Sequence, residues 1–423
     1  MVTLAHALRR IKGDLGRFVP DSLIHRLLAD RGRPTRERLL SPATTTYLFL
    51  RQVLHGNTAV THLRRLSGLT FAPSAYCQAR GRLPVAFFRR LHEAVTGRGR
   101  VPAAATWRGH RTFLLDGSSF SMPDTPELQD CFGQPGAQAA GCGFPVAHLL
   151  ALFEAHTGYL LRVVASRLRT HDLAAAAGVH PALRSGDLLV GDRAFGSYAH
   201  LALCQQRGVH AVFRAHQRRH SAVRRTGPAD RGVTYRKPDQ RPAWMSPAEF
   251  AALPAEIVVR EVRFRVIRPG RRPRWVTLVT TLTNTHRYPA AALAQLYEQR
   301  WQVETDLRHL KQTLGLDVLR CKTVPGVMKE LLVFVTVYNL VRRVMIEAAR
   351  RQNVAPQRIS FIDALRWLRH AAPDEPVPVL LVNPERLDRV EPRVRKRRPK
   401  HYPVMTRPRA VLREALLRQS LTA

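Results

Sequence analysis

Cysteine is scarce in this sequence, and the cysteines present form no recognisable pattern. There are five among 423 residues. The number is odd, they are widely scattered, and no two are arranged as Cys-x-x-Cys. These features argue against a disulfide framework and a zinc cluster, and they favour a reducing compartment, the cytoplasm. The five are Cys77, Cys131, Cys142, Cys204 and Cys321.

Long uninterrupted apolar runs are also missing. Residues 1–10 contain no apolar segment followed by a small-residue cleavage site, so we expect no secretory signal. The most apolar stretch, residues 331–340, is interrupted at Asn339 and is followed by Arg342 and Arg343. It falls far short of the ~20 residues of a membrane span. We therefore predict a buried helix of a soluble protein and no membrane partner.

Acidic residues are few relative to basic ones. The chain has 31 Asp+Glu against 68 Lys+Arg, a formal net charge of +37. Because 45% of the residues are hydrophobic, this charge belongs on a folded surface and not on a disordered tail. Such a surface attracts a polyanion, nucleic acid first and an anionic membrane second. A GC-rich genome would explain the preference for Arg over Lys, but not the excess of bases over acids.

The chain is long enough for two or three domains of ~100–200 residues. Residues 1–105 show helical spacing of apolar positions and many arginines, which suits a helical DNA-binding domain; solvated basic faces on an ordinary bundle fit equally well. Residues 106–320 alternate strand and helix patterns, which predicts an α/β core with a mixed sheet. Within them, residues 216–274 look like an insertion of antiparallel strands. Residues 321–423 are predicted to form C-terminal helices and a basic tail, 393–400.

Two aspartates, Asp116 and Asp192, follow apolar strand patterns. A carboxylate just outside a sheet is held rigidly and stays open to ions, although a single aspartate there is more often a turn or cap residue. Mg²⁺ prefers oxygen ligands and binds one or two protein carboxylates per ion. Two such ions ~3.5–4 Å apart can activate an attacking oxygen and stabilise a leaving one. Phosphodiester chemistry at this site would therefore need a third carboxylate.

The third carboxylate is predicted on a helix. At ~100° per residue, Tyr297, Arg300, Glu304 and Lys311 fall within an arc of about 60°. One carboxylate, two cations and a phenol would then share one face. The alternative is a solvated stripe held by pairs such as Arg300 with Glu304, four residues apart.

These motifs resemble the DDE transposases of bacterial insertion sequences, in particular the insertion sequence 4 family. The resemblance rests on LLDGS around Asp116, on VGDRAFGSY around Asp192, and on the complete Tyr-x-x-Arg-x-x-x-Glu-x-x-x-x-x-x-Lys signature that begins at Tyr297. It extends over most of the chain. Ala194 stands where this family often has glycine, which is a small departure.

The resemblance implies an RNase H-like core in which Asp116, Asp192 and Glu304 hold Mg²⁺, with Mn²⁺ as a substitute. It implies hydrolysis of one strand at each transposon end, followed by attack of the freed 3′ hydroxyl on another phosphodiester. The remaining signature residues would hold backbone phosphates near the cleavage point, Arg as a two-pronged donor and Lys as a point charge.

Two tryptophans are further candidates. In some relatives an aromatic residue shortly before the signature helix stacks on a flipped base, and Trp275 lies in a comparable place. A core tryptophan at the start of a strand is an equal alternative. Trp301 points away from the signature face and is predicted to lie in the core.

The leading hypothesis is thus a DNA transposase that cleaves at terminal inverted repeats and joins the ends to target DNA (cut-and-paste). Pairing of two ends suggests a homodimer on DNA, in the cytoplasm and associated with the nucleoid. One alternative is a related metal-dependent nuclease that cuts without joining. Another is a domesticated DNA-binding protein, which the intact carboxylates and signature disfavour.

Overall fold

The structure is a computed structural model. It describes residues 13, 15–29, 39–97, 106–136, 139, 142–168, 170, 172–215, 229–268, 271–372, 375–384 and 407–420. The basic tail predicted at residues 393–400 lies outside these ranges, as do residues 216–228 at the start of the predicted insertion.

The N-terminal part is helical where it is described. Local sequence explains several helix ends: the Ser41 hydroxyl accepts the Thr44 N–H at 3.2 Å, and Gly68 ends its helix at a φ of 68°. These helices pack into the same apolar core as the long helix near the C-terminus and one face of the sheet. DNA binding by this part stays a prediction. Its helices are α1 (Leu15–Phe18), α2 (Asp21–Leu28), α3 (Pro42–Leu54), α4 (Val60–Ser67), α5 (Pro73–Arg82) and α6 (Val85–Thr96).

A mixed sheet of eight strands forms the centre of the described molecule, in the order β3-β2-β1-β4-β5-β8-β7-β6. Strands β1, β4 and β5 run parallel, and the other neighbouring pairs are antiparallel. The first five strands in this spatial order, β3-β2-β1-β4-β5, have the arrangement of an RNase H-like core. The predicted α/β fold class is therefore confirmed. The strands are β1 (Thr112–Ser121), β2 (Val146–Glu154), β3 (Leu160–Arg167), β4 (Leu188–Gly191), β5 (His210–Arg214), β6 (Asp230–Arg236), β7 (Glu256–Arg268) and β8 (Arg271–Thr280).

The predicted antiparallel insertion does not stand apart from the core. Strands β6, β7 and β8 extend the same sheet, because Val212 to Arg214 of β5 pair with Leu278 to Thr280 of β8. The part of β8 that precedes Leu278 extends past the end of β5. There it pairs with β7 alone and forms a projecting hairpin. The hairpin therefore rises from the sheet edge at which β5 ends.

Helices cover both faces of the sheet. Along β1, Leu114 and Phe120 belong to the larger apolar cluster, whereas Phe113 and Leu115 belong to a second cluster on the other face. The later helices are α7 (Pro126–Phe132), α8 (Asp172–Ala176), α9 (Tyr198–Gln206), α10 (Pro247–Ala251), α11 (Ala290–Gln299), α12 (Trp301–Arg308), α13 (Val324–Gln352), α14 (Phe361–His370) and α15 (Arg409–Ser420).

Helix α13 is the apolar helix predicted from residues 331–340, but it is longer than that run. Its 29 residues are long and apolar enough to cross a membrane by length and composition, yet 78% of the apolar window is buried inside the protein. Burial of this kind is typical of the core helix of a globular protein, which is what the sequence predicted.

A buried ion pair joins α12 to α13. Asp306 and Arg342 lie 3.6 Å apart (Oδ1 to Nη1), and both side chains are 1% exposed. Arg342 also donates from Nε and Nη2 to the Thr157 carbonyl, at 2.9 and 2.6 Å. Gly158 leaves room for this guanidinium, because a Cβ at its φ of 69° would collide with it. One arginine thus ties α12, α13 and the turn between β2 and β3 together.

Replacing Arg342 with methionine should lower the free energy of unfolding by ~3–5 kcal/mol, because Asp306 would stay buried without its cation. Urea unfolding followed by circular dichroism measures the loss. Arg350→Met, at an exposed position of the same helix, is the matched control and should change stability by less than ~0.5 kcal/mol. Equally small losses in both variants would contradict the structural role given to Arg342.

Candidate active site

Two aspartates are brought together by parallel strand pairing. The last paired residues of β1 and β4 are Leu115 and Gly191, so Asp116 and Asp192 follow side by side. Asp192 is the first residue after β4, as predicted. Asp116, however, does not end its strand: β1 continues to Ser121 because it keeps its antiparallel partner β2 after β4 has ended.

Strand alternation directs both aspartates to the same face of the sheet. Leu114 and Val190, two residues before them, belong to the larger apolar cluster, which also contains Val303 and Leu307 of α12. The aspartates therefore lie on the face that α12 covers.

Backbone groups fix both aspartates. One oxygen of Asp116 accepts the Gly117 N–H at 2.9 Å. One oxygen of Asp192 accepts the Ala194 N–H at 2.8 Å and so caps the short 3₁₀ turn Arg193–Phe195. These bonds hold the side chains in place at the sheet edge.

Arg300 links Asp116 to Glu304. It is the junction residue between α11 and α12. Its Nη1 lies 3.4 Å from Asp116 Oδ2, and its Nη2 lies 3.1 Å from Glu304 Oε1. The side chain of Arg300 is only 12% exposed, whereas that of Glu304 is 44% exposed. The pair with Glu304 expected of a solvated stripe does form, but the contact with Asp116 places Arg300 inside the site.

The pKa of Asp116 is shifted by its burial and by the neighbouring charges. This pKa is raised to about 6, chiefly by burial and in smaller part by the charges of Asp192 and Glu304. The Arg300 guanidinium and the Gly117 N–H act in the opposite direction. A cation would relieve the repulsion among three carboxylates, and oxygen-only donors suit a hard divalent ion.

Tyr297 and Arg214 complete the rim of the site. The pKa of Tyr297 is raised, chiefly by burial and also by the charge of Asp192. The charges of Arg300 and Arg214 act in the opposite direction. Arg214 was missed in the sequence. It ends β5 one residue after Phe213, the partner of Gly191, and so continues the row formed by Asp116 and Asp192. The signal that could have found it is its place after the apolar run of β5, which matches that of Asp192 after β4.

Lys311 pairs with a different acid from the two that contact Arg300. Its Nζ lies 3.2 Å from Asp317 Oδ1, and the Asp317 carbonyl accepts the N–H of Ser121 at the far end of β1. That end is about 16 Å along the strand from Asp116. Residues His309–Thr313 form a wider π turn, so the regular angle of 100° per residue that placed Lys311 on the signature face does not hold there.

Trp275 lies on the projecting hairpin and is 56% exposed, so the core alternative is wrong. It is opposite Arg265 on β7, and the Arg263 guanidinium carbon lies 4.6 Å from its ring centroid. Trp301, predicted to be core, is only partly buried, with the Arg300 guanidinium carbon 5.6 Å from its ring.

Known proteins that resemble this chain are transposases. Residues 107–340, more than half of the chain, match the family described as "Transposase DDE domain". The chain is 26% identical over 439 aligned residues to "Transposase InsG for insertion sequence element IS4" of Escherichia coli (strain K12), covering 95% of this chain and 96% of that protein. A cryo-EM structure of a piggyBac transposase synaptic complex with hairpin DNA is similar with a TM-score of 0.45 and 11% identity, over 86% of this chain and 79% of that one.

The family match covers β1, β4 and the signature helices, and it ends within α13. The chain therefore belongs to the DDE transposases and is a DNA transposase.

Proposed function

We propose that Asp116, Asp192 and Glu304 hold the divalent metal on which this family depends, and that the metal is Mg²⁺, with Mn²⁺ able to replace it. The observation that carries the proposal is Arg300, which bonds both Asp116 and Glu304 beside the strand that ends at Asp192. When bound, two Mg²⁺ ions would activate the attacking oxygen and stabilise the leaving oxygen of a phosphodiester.

The chain's own residues would position the substrate. Arg300 stands between Asp116 and Glu304, so a cation shared by these acids must displace its guanidinium. The freed guanidinium can then make a two-pronged contact with a backbone phosphate. Tyr297 and Arg214 flank the same place and would contact the DNA next to it.

The substrates we propose are the terminal inverted repeats of the element and its target DNA, cut and rejoined as in cut-and-paste transposition. The net charge of +37 supports strong binding to DNA that weakens with salt. We further propose that two chains pair the two ends as a homodimer on DNA, and that residues 1–105 contribute to end binding. The protein would then act in the cytoplasm, on nucleoid DNA.

Asp192→Asn should reduce Mg²⁺-dependent cleavage of the element's own ends by ~100-fold or more, because one metal ligand loses its charge. End binding should persist. Asp130→Asn, at an exposed position of α7, is the control and should cleave normally. The assay compares cleavage and joining on labelled ends. Cleavage without joining by the unaltered chain would favour the nuclease hypothesis. Binding without metal-dependent cleavage would refute both the transposase and the nuclease hypotheses.

Lys311→Ala should weaken end binding and lower the salt slope of binding by about one unit, without loss of metal binding. Its distance from Asp116 predicts a small effect on the cleavage rate at saturating DNA, whereas Arg300→Ala should lower that rate. Binding is followed by fluorescence anisotropy across a salt series. Lys322→Ala, at an exposed position, serves as the comparison. Unchanged binding in Lys311→Ala would show that this lysine is only a solvated surface charge.

Trp275→Ala should selectively impair a hairpin step, because stacking on a flipped base contributes ~1–3 kcal/mol. Its exposure predicts that the variant stays folded and soluble. Trp275→Phe keeps an aromatic face and should retain most of the activity. The readout is the ratio of hairpin to nicked ends on a gel. An unchanged ratio in Trp275→Ala would argue against a stacking role.

A further inference from the structure

A second group of possible metal ligands lies on the sheet face opposite the carboxylates. His180, His200 and Cys204 each offer one ligand atom, and these atoms all lie within 4.8 Å of one another. All three residues are buried, at 1%, 0% and 0% exposure respectively. His200 and Cys204 are four residues apart and so share one face of α9, while His180 comes from the 3₁₀ turn His180–Ala182.

The hydrogen bonds of His200 leave one ring nitrogen facing this group. Its Nδ1 lies 2.9 Å from the Phe195 carbonyl, which can only accept, so Nδ1 carries the proton. The Nε2 lone pair then points towards His180, whose Nε2 is 2.9 Å away. A histidine whose other ring N–H bonds a backbone carbonyl is the usual arrangement of a metal ligand.

His180 is left incomplete by the surrounding protein. Its Nδ1 is buried without a hydrogen-bond partner among the described residues, so the contact of its Nε2 with His200 is the hydrogen bond that the ring makes there. Burial lowers the pKa of His180 to about 3 and that of His200 to about 4, so both rings are neutral, the state in which histidine binds metals. The pKa of Cys204 is raised to about 12 by burial, although the charge of Arg207 acts in the opposite direction.

We propose that His180, His200 and Cys204 bind a zinc ion. One thiolate and two imidazoles are the ligands that Zn²⁺ prefers, and the absence of a carboxylate among the three disfavours Mg²⁺. On binding, the Cys204 thiol releases its proton to solvent, and the His180 proton moves from Nε2 to Nδ1, so that both Nε2 atoms face the ion.

The position of this site gives it a structural role. Phe195, which accepts the His200 N–H, belongs to the 3₁₀ turn that Asp192 caps. An ion joining α9 to His180 would hold that turn against the end of β4. The inference rests on the cluster alone and does not require Asp192 to be catalytic.

Metal analysis and cobalt substitution of the full chain test the proposal. Protein purified without chelators should contain about one zinc ion per chain. Replacement by Co²⁺ should give the near-ultraviolet thiolate-to-cobalt absorption that only a cysteine ligand produces. Cys204→Ser should abolish that absorption and weaken zinc binding by more than ~100-fold, because a direct ligand matters more than an outer-shell partner. His180→Gln should also weaken it.

Two controls separate this site from the rest of the chain. Cys142→Ser alters a buried cysteine outside the cluster and should keep both zinc and the cobalt band. Asp116→Asn with Glu304→Gln alters the carboxylates and should keep them as well. Unaltered protein with neither zinc nor the cobalt band would overturn the proposal, whether or not Cys204→Ser folds. Zinc retained by Cys204→Ser but lost from the carboxylate variant would also overturn it.

Discussion

The register between β1 and β4 is the constraint on which the site depends. Pairing of Leu115 with Gly191 sets Asp116 beside Asp192, and a slip of one residue would send one aspartate to the other face. Gly191 protects this register, because a Cβ there would lie 2.8 Å from the Phe195 ring and 3.2 Å from that of Phe213. Tight packing at this glycine therefore fixes both the end of β4 and the turn that follows it.

A second constraint sets the third carboxylate. Glu304 is exposed, so its position comes from the anchoring of α12 and not from its own packing. Val303 and Leu307 pack into the core, and Asp306 is held by Arg342 of α13. Arg342 is held in turn by the Thr157 carbonyl beside Gly158. Buried polar bonds thus fix the position of the helix that carries Glu304.

Local patterns predicted the mixed sheet, the buried character of α13 and the proximity of the three carboxylates. They worked because an apolar strand followed by aspartate, and a helical face, are short-range features. The π turn at Lys311 was not predicted, because a fixed angle per residue cannot describe it. Arg214 was missed because its significance comes from the neighbour of β5 in the sheet. The cysteine spacing argued against a zinc cluster, because the group around Cys204 has one cysteine and its histidines stand 20 residues apart.

One of the many positive charges of the chain, that of Arg300, lies between two acids of the site. Acids that repel one another remain close only with a cation among them, and in the structure this cation is the guanidinium between Asp116 and Glu304. In the function we propose, Asp116 and Glu304 exchange it for a divalent ion of higher charge. The guanidinium is then free for a phosphate at the same place, so metal binding and DNA binding should reinforce each other. An excess of basic residues elsewhere brings DNA to the surface, whereas this exchange links its arrival to the chemistry.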